Sequence, residues 1–506
     1  MDKRTITVAE DLSQVRYELE LFLLGGEFDL YEDERLIAAV DSGHTAAELS
    51  YGKLILSCWG EEWSRSWRVV DCTVKGDALL LQCTRKMGLS RCLLELRRGP
   101  QEEAAVLSRA EYASKLASMI EWNLNDLRVE HSVIARDDRR HLSGVYVRMI
   151  LKQQKKTIAG IGVGDSELQD NVDAVLGAGI AWLEEVRRKH KSVNRLMIFA
   201  PVGRAAVIAT RMTVVQPPAA IVSLYQVDED AGSIEALAAF DQGDLEDAMR
   251  RASKRALWPR DHALPPEVYT RVDSIVRIAP HMIDTARDGG WITASIRGLE
   301  FARISIKTDR VEFGAGDERR KLTGRNQSEL ANLAASIIAR RNGGSHKQTD
   351  RLFRAQSERW LESLIRRDVT AIDPTLDPRY VYLQVPAYRG EQRSFIDLLG
   401  ATDSGRLAII ELKVSEDSEF PFQALDYWMR VEWHRKRGDF QRRGYFTGLE
   451  IADAPPLLYL VAPLFRFHAS TKLMAGAITE RAPVYRIGIN EDWRNGVKVL
   501  LREKLN

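Results

Sequence analysis

Three short runs near the C-terminus decide the predicted fold of this chain. Residues 395–399 are FIDLL, residues 409–413 are IIELK and residues 423–427 are QALDY. The first two runs are apolar apart from their charged members, and the TDSG segment at 402–405 between them supplies turn residues. We therefore predict a β-hairpin of strands 393–399 and 406–414, followed by a helix over 420–436.

The predicted hairpin brings three charged side chains together. Because side chains alternate along a strand, Glu411 and Lys413 point to one face, and the hairpin sets Asp397 beside them. Two neighbouring carboxylates favour a hard divalent cation, and Mg²⁺ prefers oxygen ligands. We expect Asp397, Glu411 and the backbone carbonyl of Leu412 to bind Mg²⁺ or Mn²⁺. Lys413 would then hold an attacking water and stabilise charge that develops on a phosphate.

The helix that follows carries two polar side chains on one face. Pro421 suits a first helical turn, and Gln423 and Tyr427 are four residues apart. Both could reach back to the site or contact a nucleic-acid backbone. Taken alone, Tyr427 could equally bury its ring with its hydroxyl satisfied.

The ordered set of Asp397, Glu411-Leu412-Lys413, Gln423 and Tyr427 resembles the PD-(D/E)xK nuclease superfamily, in particular its RecB-like branch. Within that branch it is most similar to the structure- and mismatch-directed DNA nucleases. The resemblance covers residues 347–506. It implies a restriction-endonuclease-like mixed sheet flanked by helices, and a metal-dependent hydrolase that cleaves phosphodiester bonds to leave a 5′-phosphate and a 3′-hydroxyl.

The same resemblance implies a glutamate on a helix that precedes the sheet. Residues 357–365 fit this helix, and its apolar stripe includes Trp360 and Leu361. Glu358 lies nearer the edge of that stripe than Glu362. Glu358 is therefore the first candidate for the helix acid, and Glu362 is the alternative.

Contact with a nucleic acid must come from a local basic patch, because the net charge of the chain is only +1. A patch of cations with interleaved aromatic residues follows the Gln-x-x-x-Tyr pair, and suits phosphate neutralisation and base stacking. Its cations are Arg430, Arg435, Lys436, Arg437, Arg442 and Arg443. The alternative is a solvated helix face beside a buried tryptophan.

The 506 residues exceed what one core supports, so we predict a multi-domain α/β protein. Residues 1–105 are predicted to be a β-rich accessory domain with strands at 51–58, 66–73, 78–84 and 91–97, and a helix at 11–23. Residues 106–240 form an α/β domain, residues 241–345 an α+β domain that ends in a linker at 340–346, and residues 346–506 the nuclease-like domain.

The second domain repeats the element order of the fourth, as helix–strand–strand–helix–strand. It could therefore be a degenerate, catalytically empty copy of the nuclease-like fold, with Arg148 and residues 160–162 where the acids and lysine would lie. We predict strands at 195–200 and 204–209 in this domain. The glycines of 160–164 match neither a dinucleotide-binding nor an NTPase loop, and they predict a tight turn.

The cysteines and the targeting signals bear on the cellular compartment of the protein. Cys58, Cys72, Cys83 and Cys92 lie in strand-like contexts without zinc-ligand spacing, which predicts buried free thiols rather than a metal site. No segment has the pattern of a secretory signal or a membrane span, which predicts a cytoplasmic protein.

The sequence thus favours a metal-dependent deoxyribonuclease that acts in repair or defence. Two alternatives stay open. One is a catalytically silent nucleic-acid-binding or partner-recruiting protein on a nuclease fold. The other is an RNA-directed or ligand-activated nuclease. Endo- versus exonucleolytic action and assembly into a homo-oligomer are likewise open.

Overall fold

A computed structural model describes residues 15–506 except for short stretches. These stretches are 17–18, 20–21, 24–27, 34, 41–43, 51–52, 60–63, 76–77, 86–89, 98–99, 135–141, 254–263, 289, 316–318, 345–350 and 390–391. The chain divides into two compact units. The first comprises Met1–Leu107 and Glu267–Arg359, and the second comprises Ser108–Pro266 and Trp360–Asn506.

The strands and helices follow in chain order. The strands are β1 (Phe28–Glu32), β2 (Arg35–Val40), β3 (Thr45–Ser50), β4 (Lys53–Trp59), β5 (Ser64–Lys75), β6 (Ala78–Arg85), β7 (Ser90–Arg97), β8 (Leu127–Val133), β9 (Val147–Gln153), β10 (Lys156–Gly162), β11 (Arg195–Pro201), β12 (Ile221–Asp228), β13 (Ser233–Leu237), β14 (Ile283–Asp288), β15 (Trp291–Ile296), β16 (Leu299–Ser305), β17 (Val311–Phe313), β18 (Arg320–Lys321), β19 (Leu376–Arg389), β20 (Gln392–Thr402), β21 (Leu407–Leu412), β22 (Leu457–Pro463), β23 (Val484–Ile489) and β24 (Val499–Lys504). The helices are α1 (Pro100–Asn123), α2 (Gln169–Lys189), α3 (Ala206–Arg211), α4 (Gln242–Ser253), α5 (Pro266–Val276), α6 (Gln327–Arg340), α7 (Arg351–Arg354), α8 (Ser357–Arg367), α9 (Phe420–Lys436), α10 (Asp439–Arg442) and α11 (Thr471–Gly476).

The first unit contains two antiparallel sheets. One has the strand order β2-β1-β7-β6-β5-β4-β3, and the other runs from β14 to β18. The four predicted strands between 51 and 97 are confirmed as β4 to β7, and the four cysteines, all among the described residues, are not joined in disulfides. Cys58, Cys72 and Cys83 are buried in the core of this sheet, while Cys92 is half-buried. The predicted helix at 11–23 lies largely outside the described residues.

The segment predicted to be a linker begins with an anchored residue. Arg341, directly after α6, is fully buried. Its guanidinium donates hydrogen bonds to the backbone carbonyls of Leu352 (2.8 Å), Ala355 (2.5 Å) and Arg297 (2.8 Å). A buried cation held by three carbonyls fixes the chain at Arg341. The predicted linker therefore cannot include this residue.

The second unit contains two six-stranded sheets with one topology. The sheets run from β8 to β13 and from β19 to β24. In each, the first three strands pair antiparallel, the next two steps are parallel and the last step is antiparallel. We call residues 108–266 the first half of this unit and residues 360–506 the second half. The repeat expected from the sequence is present, but each half has three strands between its first two helices, where two were predicted.

The helices repeat in the same way. A helix precedes each sheet (α1 and α8), a long helix follows the third strand (α2 and α9), and a short one follows the fourth (α3 and α11). The prediction of a strand at 204–209 was wrong, because α3 occupies this place. A short apolar run cannot distinguish a buried strand from a buried helix by its periodicity.

The two halves meet about a local two-fold relation. Val215 and Ile478 form an isolated antiparallel bridge. Gln216 N donates to Ala477 O (2.7 Å), and Thr479 N donates to Val214 O (2.9 Å). In each case the residue after the bridge in one half donates to the residue before the bridge in the other half. Likewise α2 packs on α11 while α9 packs on α3. This reciprocity is the pattern of an isologous dimer interface, here within one chain and over one shared hydrophobic core.

The turn between β20 and β21 depends on a glycine. Gly405 has φ +81°, and a Cβ on it would collide with the carbonyl oxygen of Glu450. Gly448 has a similar φ of +84°, but a Cβ there would meet nothing closer than 3.6 Å. A comparison of alanine substitutions at Gly405 and Gly448 therefore separates the cost of backbone strain from the cost of steric overlap.

We expect Gly405→Ala to lower the free energy of unfolding by about 3 kcal/mol, since overpacking adds to about 1 kcal/mol of left-handed strain. Gly448→Ala should cost only the strain, about 1 kcal/mol. Urea unfolding measures both. Equal losses for the two variants would contradict the steric explanation.

Candidate active site

The β20–β21 hairpin opens into a fork where the ladder ends. The last pair of the ladder is Leu398–Ile410. Beyond it, side chains replace the backbone partners: Asp397 N donates to Glu411 Oε1 (3.2 Å), and Leu412 N donates to Asp397 Oδ2 (2.9 Å). Each carboxylate thus accepts an N–H from the opposite strand. The two predicted acids meet at one point, as the hairpin prediction required.

A third carboxylate joins this fork through a glutamine of β19. Gln384 Nε2 donates to Glu362 Oε2 (2.7 Å) and lies 3.3 Å from Asp397 Oδ1. Glu362 is 4% exposed, so its carboxylate is held inside the protein. The helix acid that these hydrogen bonds join to the cluster is therefore Glu362, the alternative in the sequence analysis. Glu358, the first choice, is half-buried one helical turn earlier and falls in the other compact unit.

Neither Gln384 nor β19, the strand that carries it, was predicted from the sequence. The alternation VYLQV at 381–385 was the available signal, with a polar residue on a strand near the predicted hairpin. Gln384 also has φ +49°, in the left-handed region that residues other than glycine rarely adopt. Such a conformation persists only where the surroundings impose it, and it commonly marks a functional site.

Tyr427 lies beside the two acids of the fork. Burial raises the pKa of its hydroxyl, and the Glu411 and Asp397 carboxylates raise this pKa further, while the Ser394 hydroxyl opposes the shift. The phenol is therefore protonated at neutral pH and can act as a hydrogen-bond donor. Gln423 is half-buried on the same helix.

Lys413 leaves β21 at the same fork. Its N–H donates to Val461 O (3.0 Å) on the neighbouring parallel strand. Its ammonium forms an ion pair with Asp417 (3.3 Å), and the side chain is partly exposed. The cation is thus tethered at the rim of the fork while remaining accessible to solvent.

The donor set of the fork fits a small hard cation. Mg²⁺ usually takes one or two protein carboxylates and completes its shell with water and substrate phosphate oxygens. Asp397, Glu411 and the Leu412 carbonyl provide oxygen donors of this kind. Within the described part of the chain, no group of three or more His, Cys, Asp or Glu side chains has metal-binding spacing. A metal at the fork would accordingly be held by two carboxylates and a carbonyl.

Two of the predicted substrate contacts are engaged within the protein, Arg430 by burial and Arg435 by ion pairs. Arg435 donates to both carboxylate oxygens of Glu432 (2.7 and 3.1 Å) and to Asp453 (2.8 Å). Arg430 is 6% exposed, and burial lowers its pKa to about 10. Burial of Arg430 and the three hydrogen bonds of Arg435 to carboxylates make both residues poorly placed to contact a nucleic-acid backbone.

Of the other four cations of the patch, Lys436, Arg437 and Arg442 are exposed and Arg443 is half-buried. Arg437 and Arg442 both pair with the Asp439 carboxylate. Lys436 lies 3.5 Å from the Glu432 carboxylate, and Arg437 stacks over Trp433 (4.6 Å). Buried His434 bonds through Nδ1 to Asp439 (2.8 Å), and burial lowers its pKa to about 4. The histidine is thus neutral near pH 7 and adds no positive charge.

The corresponding place in the first half carries no acid. Val163 N donates to Phe199 O (3.1 Å), as Lys413 N does to Val461 O, so Val163 corresponds to Lys413. The β-ladders then match Ile161 with Glu411 and Arg148 with Asp397. Arg148 is buried and stacks over Trp182 (5.8 Å).

The glycines of this segment serve packing. Gly160 and Gly162 lie within β10, which corrects the prediction of a tight turn over 160–164. A Cβ on Gly162 would collide with Leu116 of α1, and one on Gly164 would contact the ring of Tyr112. Because Gly162 matches Leu412 rather than Glu411, this helix packs on the sheet face opposite to the positions that correspond to the acids.

Comparison with protein-family models, with curated proteins and with solved structures finds no significant match. No helix in the described part of the chain is long and apolar enough to cross a membrane.

Proposed function

We propose that this chain is a divalent-metal-dependent nuclease that hydrolyses phosphodiester bonds in DNA, with its active site at the fork between β20 and β21. The observation that carries the proposal is the meeting of the Asp397 and Glu411 carboxylates, each of which accepts an N–H from the other's strand. Two acids on opposite strands, each fixed by an N–H of the other strand, are suited to a shared cation.

Each residue of the fork has a role in this proposal. Asp397, Glu411 and the Leu412 carbonyl would hold Mg²⁺ or Mn²⁺. Gln384 bonds to both Glu362 and Asp397 and so fixes the orientation of the Asp397 carboxylate. A bound divalent ion lowers the pKa of a water and neutralises phosphate charge. Lys413 stabilises charge that develops on the phosphate, and the protonated Tyr427 hydroxyl donates a hydrogen bond at the same place.

A metal and substrate screen tests the proposal. The purified protein would be incubated with single-stranded, duplex, branched and mismatched DNA and with RNA, in Mg²⁺, Mn²⁺ or EDTA. We expect cleavage of DNA in Mg²⁺ or Mn²⁺ and none in EDTA. Lys413→Met should reduce the rate by about a hundredfold or more, since it removes a preorganised charge at the phosphate.

Lys472→Met is the matched control, because Lys472 forms an exposed ion pair with Glu503. It should cleave at the wild-type rate. Absence of cleavage by the wild-type protein on every substrate would refute the proposal, and cleavage of RNA alone would reassign its substrate.

A further inference from the structure

Three parallel strands of the second half end at one edge of the sheet. β21, β22 and β23 pair parallel, so their carboxyl ends share this edge. β21 ends beside the fork, where Lys413 N bonds to Val461 O of β22. β22 then ends at Pro463 and passes directly into a 3₁₀ turn, Leu464–Arg466. This turn therefore lies at the same edge as the acid cluster.

The turn presents an aromatic and a cationic side chain to solvent. Phe465 is 77% exposed, so most of its ring is accessible to a ligand. Its N–H donates to Glu491 Oε1 (3.0 Å), which fixes the backbone of the turn. The Arg466 side chain is also largely exposed. Among the described residues its one ion-pair partner is Glu491, at 3.7 Å.

At the corresponding edge of the first half, an arginine ties a loop to the end of the strand. β11 ends in Ala200-Pro201 as β22 ends in Ala462-Pro463, so Arg204 corresponds to Arg466. The Arg204 guanidinium donates to the carbonyls of Asp165 (2.5 Å) and Glu167 (2.7 Å), in the loop that follows β10.

The two edges thus differ in three ways. In the first half the arginine ties a loop to the strand end, Gly203 stands where the second half has Phe465, and the positions that match Asp397 and Glu411 carry Arg148 and Ile161. In the second half the arginine and the aromatic ring are both turned to solvent beside the acids. The side chains that remain accessible are those a nucleic acid would use.

We propose that Phe465 and Arg466 form a nucleotide-binding site beside the acid cluster, where Phe465 stacks on an unpaired base and Arg466 pairs with the adjacent phosphate. The inference rests on the proposed function and narrows its substrate to DNA with single-stranded character. An aromatic side chain can stack on a base only where the base is not covered by its neighbours, whereas a guanidinium suits a phosphate in any strand.

A binding experiment tests this site separately from cleavage. Fluorescence anisotropy would measure the affinity of a short single-stranded oligodeoxynucleotide, and of a duplex hairpin, in Ca²⁺. Phe465→Ala should weaken binding of the single strand about tenfold, with little effect on the hairpin, because one stacked base is lost. Phe465→Trp should restore it. Arg466→Ala should reduce the slope of log K against log salt by about one unit.

Trp122→Ala is the matched control, since Trp122 is an equally exposed aromatic residue at the end of α1. It should bind within about twofold of wild type, because it removes exposed ring surface without a stacked base. Equal affinity of Phe465→Ala and wild type, or no binding by the wild-type protein, would overturn the inference. Binding that depends on Phe465 without any cleavage would instead retain this site and refute the nuclease proposal.

Discussion

Asp397→Asn is expected to abolish metal-dependent cleavage while leaving the protein folded. Asparagine keeps an oxygen that can accept the Leu412 N–H, so the fork can still form. It removes the negative charge that a divalent ion requires. If the ion supplies about 4 kcal/mol of transition-state stabilisation, the rate falls by about a thousandfold. Initial rates in Mg²⁺ and calorimetric titration with Mn²⁺ would measure the loss of activity and of metal affinity together.

Asp403→Asn provides the matched control for this experiment. Asp403 lies in the turn at the opposite end of the same hairpin, and its side chain is exposed. The control should retain both metal binding and cleavage. Wild-type rates for Asp397→Asn, in a protein that cleaves DNA, would remove the fork from the mechanism.

Arg211→Met is expected to cause the largest loss of stability. Arg211 of α3 is fully buried, and its guanidinium donates to both carboxylate oxygens of Asp426 on α9 (2.9 and 2.8 Å) and to Asp173 O (2.6 Å). Burial acts to lower the pKa of Arg211, but Asp426 raises it and prevails, so the guanidinium is charged. Removing one partner leaves a buried charge uncompensated, which costs about 3–5 kcal/mol. Urea unfolding measures the loss.

The double variant Arg211→Met/Asp426→Leu distinguishes an uncompensated charge from lost packing. It should recover much of the stability, because replacing a buried ion pair by apolar groups is often neutral. Arg188→Met is the surface control. Arg188 pairs with Glu185 while its side chain is largely exposed, so about 1 kcal/mol or less is expected. A double variant no more stable than Arg211→Met alone would assign the loss to packing.

Strong local patterns made much of the second half predictable. The helix predicted at 420–436 and the strand predicted at 406–414 match α9 and β21, because Pro421 marks the helix start and an apolar run marks the strand. The Asp397–Glu411 meeting was also predictable, since a tight hairpin leaves only one register for the two acids.

The parts that were missed depend on tertiary contacts. Nothing local distinguishes Glu358 from Glu362, which are one helical turn apart, and only the hydrogen bond of Gln384 selects Glu362. Likewise the sequence shows that Arg435 is a cation but not that Glu432 and Asp453 enclose it. Burial and pairing of a charged side chain are properties of the packed protein, so a cluster of cations in the sequence overstated the basic surface.

The reciprocal bridge at Val215 and Ile478 has a consequence for how this unit assembles. Two separate subunits joined in this way would dissociate on dilution, and their melting temperature would depend on protein concentration. Here a covalent connection makes the encounter of the halves unimolecular, with a high effective concentration. The halves can also evolve separately, because a substitution in one is not copied into the other. An ancestral pair of identical surfaces could thereby become one half specialised for chemistry and another specialised for support.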